Sequence, residues 1–429
     1  MTDRNTQTAD VGPDEFGESE SVSLWRNHDF LHFMSADVVS QIGTQVTLIA
    51  LPLAALVALD ADPFQIGLLN AVEMMAFVFF GLPVGVWVDR MWRRPIQVVA
   101  DVLRGAALLS IPIAWAFDAL TLTQMFCVAA AIGVGTVFFD VAHMSYLPTV
   151  VPPREVTRGA GALESVYQVA KLGGPGLGGL LVQALGAPVA LLVDGVSYLV
   201  SALLLGRIRA PEQRPEVTER RRLRVEIAEG LRCVAGNRVI RLTAVNGALT
   251  MLFFGAWSAI SVVFMIRELG ISPGTYGLLL LGVAAGGSLG AMLAARVIGR
   301  TGTGRTMWWA SLLSLPAIGL IPFSGAGWAM AFFVLGAGVF ELFSCVFNVA
   351  QFSYRLKVLP QHLHGRVNAT MRFLMWGATP IGAVLGGALI EVIGARQTLW
   401  LVAIGFTLPQ LLIVLTPGIR TLPEPASAD

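Results

Sequence analysis

The chain has 429 residues, 55% of them apolar and only 13% charged, against about 25% charged in an average soluble protein. So few charges could not keep the surface of a soluble globule wet, and a mean hydropathy of +0.70 points to a polytopic membrane protein. A net charge of +1 excludes the basic field of a nucleic-acid binder, and three cysteines without ligand spacing exclude a metal centre or disulfide framework.

Residues 1–26 carry Asp10, Asp14, Glu15, Glu18 and Glu20 with few large apolar residues. They lack the n-region and h-region of a signal peptide and read as a disordered tail. Apolar windows long enough to span as helices follow near 30–58, 65–88, 96–117, 122–146, 159–184 and 188–206, and again near 240–266, 274–298, 305–322, 327–356, 367–391 and 396–415. The expectation is an all-α polytopic membrane protein: a bundle of six helices over 27–206, a linker over 207–239, a second bundle over 240–416 and a tail over 417–429. Of the 29 basic residues, 24 fall in the tails and alternate loops, and the opposite loops hold Arg267 and Arg396. By the positive-inside rule both termini are expected in the cytoplasm.

Within the linker, Thr218 could cap an amphipathic helix with Leu223, Ile227, Leu231 and Val234 on one face and Arg220, Arg221, Arg222, Arg224 and Arg232 on the others. Its expected place is along the membrane surface. A shift of 208 positions pairs Tyr146 with Tyr354, Pro152 with Pro360, Arg158 with Arg366, Gly178 and Gly179 with Gly386 and Gly387, and Gly186 with Gly394. The second half therefore repeats the first in parallel, as in transporters whose halves rock about a central site.

Two patterns of soluble enzymes lack their context. Gly174 to Gly179 satisfies G-x-G-x-x-G inside an apolar helix, and Gly286 to Gly290 satisfies G-x-S-x-G without a strand before it. Gly282, Gly286 and Gly290 instead have the spacing that lets two helices approach closely. Neither lysine, Lys171 or Lys357, belongs to a phosphate-binding loop, so ATP is not expected to drive the protein. An enzyme is not expected.

The loop after the second window reads Gly85-Val-Trp-Val-Asp89-Arg90-Met-Trp-Arg93-Arg94-Pro95. It resembles the signature loop of the major facilitator superfamily, with Trp87 and Trp92 where that family often has leucine and glycine. The resemblance covers essentially the whole chain and implies twelve transmembrane helices in two parallel-repeat bundles. Asp89 at a helix end can accept backbone N–H groups or an arginine from the facing half, a bond that must break as the cytoplasmic side opens. The fifth helix, with Gly161, Ala170, Gly174, Pro175, Gly178 and Gly179, is similar to the glycine-proline motif of antiporters in that superfamily. Ser40-Gln41-Ile42-Gly43, Leu147-Pro148 to Pro152 and Arg366-Val367-Asn368-Ala369 resemble its macrolide, drug and siderophore exporter branch. The fourth helix, Cys127 to Phe139, has no arginine, although many drug and proton antiporters of the superfamily place a coupling arginine there. The conformational gate expected on these grounds comprises Gly85, Asp89, Arg90, Arg93, Arg94, Gly174, Pro175, Gly178 and Gly179.

An ionised side chain at mid-helix costs at least about 2.5 kcal/mol on insertion scales, so each is a functional candidate. Asp101, Arg104, Glu164 and Arg372 lie near cytoplasmic ends, where Asp101 and Arg104 could pair at i, i+3. Asp140 and His143 sit one turn apart, and Asp194 and Glu391 are expected to reach water at external ends. Asp37, Glu73, Lys171 and Glu341 lie deeper. With Asp140 they are the candidates for proton coupling or substrate binding, since burial favours a neutral carboxyl and water a charged one. The alternative is a permanent Asp37–Lys171 pair that holds helices together. Tyr167, Asn246, Phe253, Trp257, Asn348 and Trp376 are candidates for an aromatic and amide lining suited to a large apolar ligand.

These features predict a secondary active exporter of hydrophobic or amphipathic small molecules, exchanging substrate for protons by alternating access. The alternatives are uptake or facilitated diffusion of a metabolite, or a non-transporting receptor or scaffold. The expected partners are a small-molecule substrate, a coupling proton and the lipid bilayer, with a monomeric chain and no cofactor, metal or nucleic acid. Two lysines against 27 arginines, with motifs of bacterial type, point to a bacterial cytoplasmic membrane.

Overall fold

The computed structural model describes residues 24–88, 90–212, 223–360 and 363–422. The acidic segment before Leu24, Asp89 of the signature loop, and Thr218, Arg220, Arg221 and Arg222 of the linker lie outside the described residues, as do the side chains of Leu223, Arg224 and Ile227. The first half comprises α1 (His28–Ala58), α2 (Pro63–Val88), α3 (Arg93–Ala116), α4 (Leu122–Val150), α5 (Val156–Leu185) and α6 (Ala187–Gly206). The short α7 (Leu223–Gly236) precedes the second half: α8 (Arg238–Val263), α9 (Pro273–Thr301), α10 (Thr303–Leu320), α11 (Met330–Val358), α12 (His364–Trp376), α13 (Ala378–Ile393) and α14 (Ala395–Leu415). No strand occurs among the described residues.

Eleven spans among the described residues, counting α12 and α13 as one, are long and apolar enough to cross a bilayer. The 30-residue α5 makes the twelfth; its many glycines and Lys171 lower its hydropathy. Side chains close the helix starts the sequence leaves open. Asn27 Oδ1 accepts the N–H groups of Asp29 and Phe30 at 3.0 and 3.2 Å, and Thr121 and Ser272 cap α4 and α9 in the same way.

The internal repeat is visible in the backbone. Gly186 and Gly394, equivalent under the 208-residue shift, join α5 to α6 and α13 to α14 with φ, ψ of 83°, 153° and 85°, 161°. That left-handed region strains any residue with a Cβ. Gly286 and Gly290 pack α9 on α11 so closely that an added Cβ would lie 2.0 Å from Gly338 O or 2.4 Å from Leu342 O, the helix contact their spacing predicts.

Two elements differ from expectation. The span predicted as continuous over 367–391 is interrupted for one residue at Gly377, where Pro380 has no N–H to offer the Trp376 carbonyl one turn back. The linker helix, expected along the membrane surface, docks on α12: Gly230 faces Arg366 O and Thr370 Oγ1, and Glu229 pairs with Arg366. Val234 is buried there, while Leu231, expected on the same face, is 44% exposed.

The apolar core is shared unequally between the two sides. On the side away from the termini, one cluster runs through both halves, from Val46, Leu53 and Ile66 to Ile260, Tyr276, Phe333 and Phe406. On the terminal side the core divides into separate clusters, around Phe30, Phe33 and Tyr146 in the first half and around Ile240, Met307 and Met371 in the second. The halves are therefore fused on the far side and parted on the terminal side.

Candidate functional site

The parting holds a cavity of about 580 Å³. The first half lines it with Asp37 and Gln41 of α1, Phe77 of α2, Asp140 and His143 of α4, and Glu164 and Tyr167 of α5; α12 supplies Arg372, Phe373 and Trp376. Asp37 lies about 14 Å along α1 from its start, at 1.5 Å per residue, well inside the span. The Phe77 and Trp376 rings meet across the halves at 5.6 Å. Aromatic walls with a few acidic groups and one guanidinium suit an amphipathic ligand.

Asp37 is only 3% exposed. Gln41 Nε2 donates to its Oδ1 at 3.4 Å, and His143 Nε2 faces the same oxygen at 3.5 Å. The imidazole is held by stacking against Phe33 at 4.2 Å and Phe139 at 5.1 Å. Its tautomer follows from its other neighbour. Gln97 Nε2 donates to Arg93 O at 3.2 Å, so Gln97 Oε1 is the atom turned to His143 Nδ1 at 3.1 Å, and Nδ1 must be the donor. A neutral His143 then presents a lone pair to Asp37. Two facing acceptors repel, so this 3.5 Å contact would close into a hydrogen bond only with a proton added to the carboxyl or the imidazole.

Lys171 does not reach Asp37. Its Nζ donates to Glu341 Oε1 of α11 at 3.4 Å, joining the two halves at mid-depth with both side chains partly exposed. The predicted alternative of a permanent Asp37–Lys171 pair is thus replaced by two separate pairs. Glu73 is half-buried on α2 with no hydrogen-bond or ion-pair partner among the described residues. Asp101 and Arg104 pair as their spacing predicts, with the guanidinium sandwiched between the Phe139 and Tyr198 rings at 4.4 and 4.1 Å. Asp194, expected to reach water, is fully buried and accepts from Ser197 Oγ at 2.9 Å, with Gly43 of α1 packed directly over its carboxylate.

Of the predicted lining residues, Tyr167 and Trp376 line the cavity and four do not. Asn246 is buried and donates to Pro409 O at 2.8 Å, a tie between α8 and α14. Phe253 packs on Phe406 and Trp257 stacks on Phe333 at 5.4 Å, both inside the second half. Asn348 accepts from Gln351 on its own helix at 2.6 Å. In the sequence Gln41 stood out only as part of the Ser40 to Gly43 motif, and Phe77, Gln97 and Phe373 did not stand out at all. Gln97 and Gln41 are amides inside apolar spans, a signal that was present; the two phenylalanines carry none.

Opposite the cavity, small residues seal the halves. An added Cβ at Gly67 would lie 2.4 Å from Ala383 O, and at Gly387 2.6 Å from Pro63 O, where α2 meets α13. At Gly277 it would lie 2.5 Å from Pro175 O, and at Gly179 2.5 Å from Pro273 O, where α9 meets α5. The two contacts are related by the repeat, Pro63 and Gly67 corresponding to Pro273 and Gly277 at a shift of 210. Gly174 and Gly178 face α1 within the first half. An Asp60–Arg267 pair and a 3.3 Å hydrogen bond from Phe64 N to Glu391 Oε1 tie the seal's rim. Among the predicted gate residues of the signature loop, Arg94 donates from Nε to Leu205 O at 3.0 Å, and the backbone N–H of Arg93 donates to Glu212 at 2.5 Å. Both bind the first half's own α6 end; Gly85 has open space around it and Arg90 is exposed.

Two repeated six-helix bundles, fused on one side of a membrane-spanning body and enclosing an acidic aromatic cavity on the other, define a multi-pass transporter. A family model described as Major Facilitator Superfamily matches residues 33–266, and the chain belongs to that family, a family of transporters rather than enzymes. It is 27% identical over 409 residues to the multidrug efflux pump Tap of Mycobacterium bovis, covering 92% of this chain and 94% of that one. It is 23% identical over 335 residues to macrolide efflux protein A of Streptococcus pyogenes, covering 76% and 81%. Among solved structures, a bacterial homologue of the iron transporter ferroportin, in an inward-facing state, superposes with a TM-score of 0.76 at 15% identity over 92% of this chain and 99% of that one.

Proposed function

We propose that the protein is a proton-coupled exporter of hydrophobic or amphipathic small molecules, drug-, macrolide- or siderophore-like, working by alternating access in a bacterial cytoplasmic membrane with both termini in the cytoplasm. The observation that carries this reading is the 3.5 Å contact between buried Asp37 and His143 on the wall of the cavity, an arrangement suited to sharing a proton. In the conformation described, the cavity receives substrate from the terminal side. Substrate settling against Asp37, above all through a cationic group, replaces the proton's charge and releases it to the cytoplasm. When the seal opens and the terminal side closes, substrate leaves and the pair takes a proton from outside, so protons move inward as substrate moves out. For a neutral substrate each proton entering contributes about 2.3 kcal/mol per 100 mV of membrane potential, whereas one-for-one exchange with a monocation is electroneutral and is driven by the pH gradient. Lys171 and Glu341 bridge the halves at mid-depth and must part or slide as the bundles rock. The efflux relatives support the direction and the substrate class.

The test uses the purified chain in liposomes enclosing a pH-sensitive dye, challenged with macrolides, other lipophilic drugs and siderophores. Substrate-driven proton movement is expected in the wild type and lost in D37N, while labelled substrate still equilibrates. Equilibration without proton movement in the wild type overturns antiport and leaves facilitated diffusion.

A further inference from the structure

On the terminal face, outside the transport cavity, the ends of α1, α3 and α6 surround a second concavity of about 600 Å³, lined by His28, His32, Arg94, Arg207, Ile208 and Arg209. Its floor is apolar, since Ile208 is buried against the cluster of Leu24, Phe30 and Phe33. Its rim is cationic, and the nearby carboxylates are already engaged by main-chain donors. Asp29 Oδ1 accepts the Arg209 N–H at 2.9 Å, and the two oxygens of Glu212 accept the N–H groups of Arg93 and Arg94 at 2.5 and 3.4 Å. Asp29 also lies 3.4 Å from His28 Nδ1.

Arg94 is fixed in place by donating to the carbonyls of Leu205 and Gly206, which end α6; Leu205 O also accepts the Ile208 N–H at 3.3 Å. The exposed guanidiniums of Arg207 and Arg209 have no hydrogen-bond or ion-pair partner among the described residues. Three arginines therefore converge on a concavity whose acids are occupied. Guanidinium forks of this kind match phosphate oxygens in geometry and charge. The depth of the site matters as much as its charge: α1 begins at His28 and α6 ends at Gly206, which puts the rim at the level of lipid headgroups. Trp25, 51% exposed beside Phe30, is an interfacial anchor at the same level.

We infer that this concavity binds a phosphate group, supplied by the headgroup of an anionic phospholipid in the leaflet on the terminal side. The inference is independent of the transport cycle. The experiment is native mass spectrometry of the full chain released from phosphatidylcholine nanodiscs doped with phosphatidylglycerol, alongside titration of the detergent-purified protein with inorganic phosphate. The variant R207Q/R209Q is expected to lose phosphatidylglycerol affinity by at least about tenfold, from roughly fivefold per interfacial arginine. R300Q/R305Q, which alters exposed arginines of the second half, is expected to retain it. Loss of inorganic phosphate binding with lipid retention unchanged overturns the lipid source, and equal behaviour of wild type and R207Q/R209Q toward both probes overturns the site. If the double variant does not fold, R209Q alone carries the test, with about a fivefold loss expected.

Discussion

A methyl group placed in the seal tests whether its small residues hold the halves together. At Gly67 every atom near the added Cβ belongs to the second half, with Ala383 O at 2.4 Å and Gly387 Cα at 3.3 Å; at Gly277 every one belongs to the first, with Pro175 O at 2.5 Å and Gly179 Cα at 2.9 Å. These neighbours are backbone and cannot rotate away. The clash exists only while the seal is closed, so the cost falls on that conformation and spares the packing within each half. Overpacking of this kind costs about 1–3 kcal/mol, which moves the ratio of sealed to open molecules about 5- to 150-fold toward open. G67A and G277A, related by the repeat, are expected to act alike. G173A is the control, since a Cβ there meets nothing within 4 Å. Spin labels at Ala119 and Ala326, both exposed on the far side, in a background with Cys127, Cys233 and Cys345 replaced, would read the separation of the halves by double electron–electron resonance. Longer distances in G67A and G277A, and an unchanged distribution in G173A, are expected. Unaltered distributions in both seal variants, with the fold intact, would refute the reasoning.

H143Q removes the partner that shares the Asp37 proton while keeping a polar side chain; proton movement per substrate is expected to fall with substrate binding retained, measured by dye response against equilibrium binding. R104Q breaks a buried pair with Asp101 and leaves that carboxylate uncompensated, so a loss of about 3–5 kcal/mol is expected as a lower thermal unfolding midpoint and poor recovery from the membrane. The Lys171–Glu341 bridge is partly exposed, so a double-mutant cycle of K171M and E341Q is expected to give a coupling of only about 1 kcal/mol or less, with the larger effect on transport rate.

The spans were legible because crossing a bilayer demands apolar length, and that demand is local in sequence. The repeat was legible because Gly186 and Gly394 must adopt one conformation open to few residues. Facing was not legible. Helix α8 is apolar on every side, so nothing in its periodicity separates a cavity wall from a bundle core; Asn246, Phe253 and Trp257 therefore looked like lining and proved to be packing. Pairing between distant segments was equally hidden. Lys171 had three deep carboxylates as possible partners, and only the assembled halves bring it to Glu341, 170 residues away. The role of His143 depends on Gln97 fixing its tautomer across two helices, a relation that no spacing encodes.

The break at Gly377 divides labour along one span. α13, beyond it, carries Ala383 and Gly387 of the seal, while α12, before it, supplies Arg372, Phe373 and Trp376 to the cavity. The wall that carries Asp37 and His143, by contrast, stands on the unbroken α1 and α4. Displacing α12 about Gly377 would reshape the second-half wall of the cavity without moving the seal residues of α13 or the Asp37–His143 contact, so the wall that can adjust and the wall that holds the buried carboxylate stand on opposite sides of the same chamber.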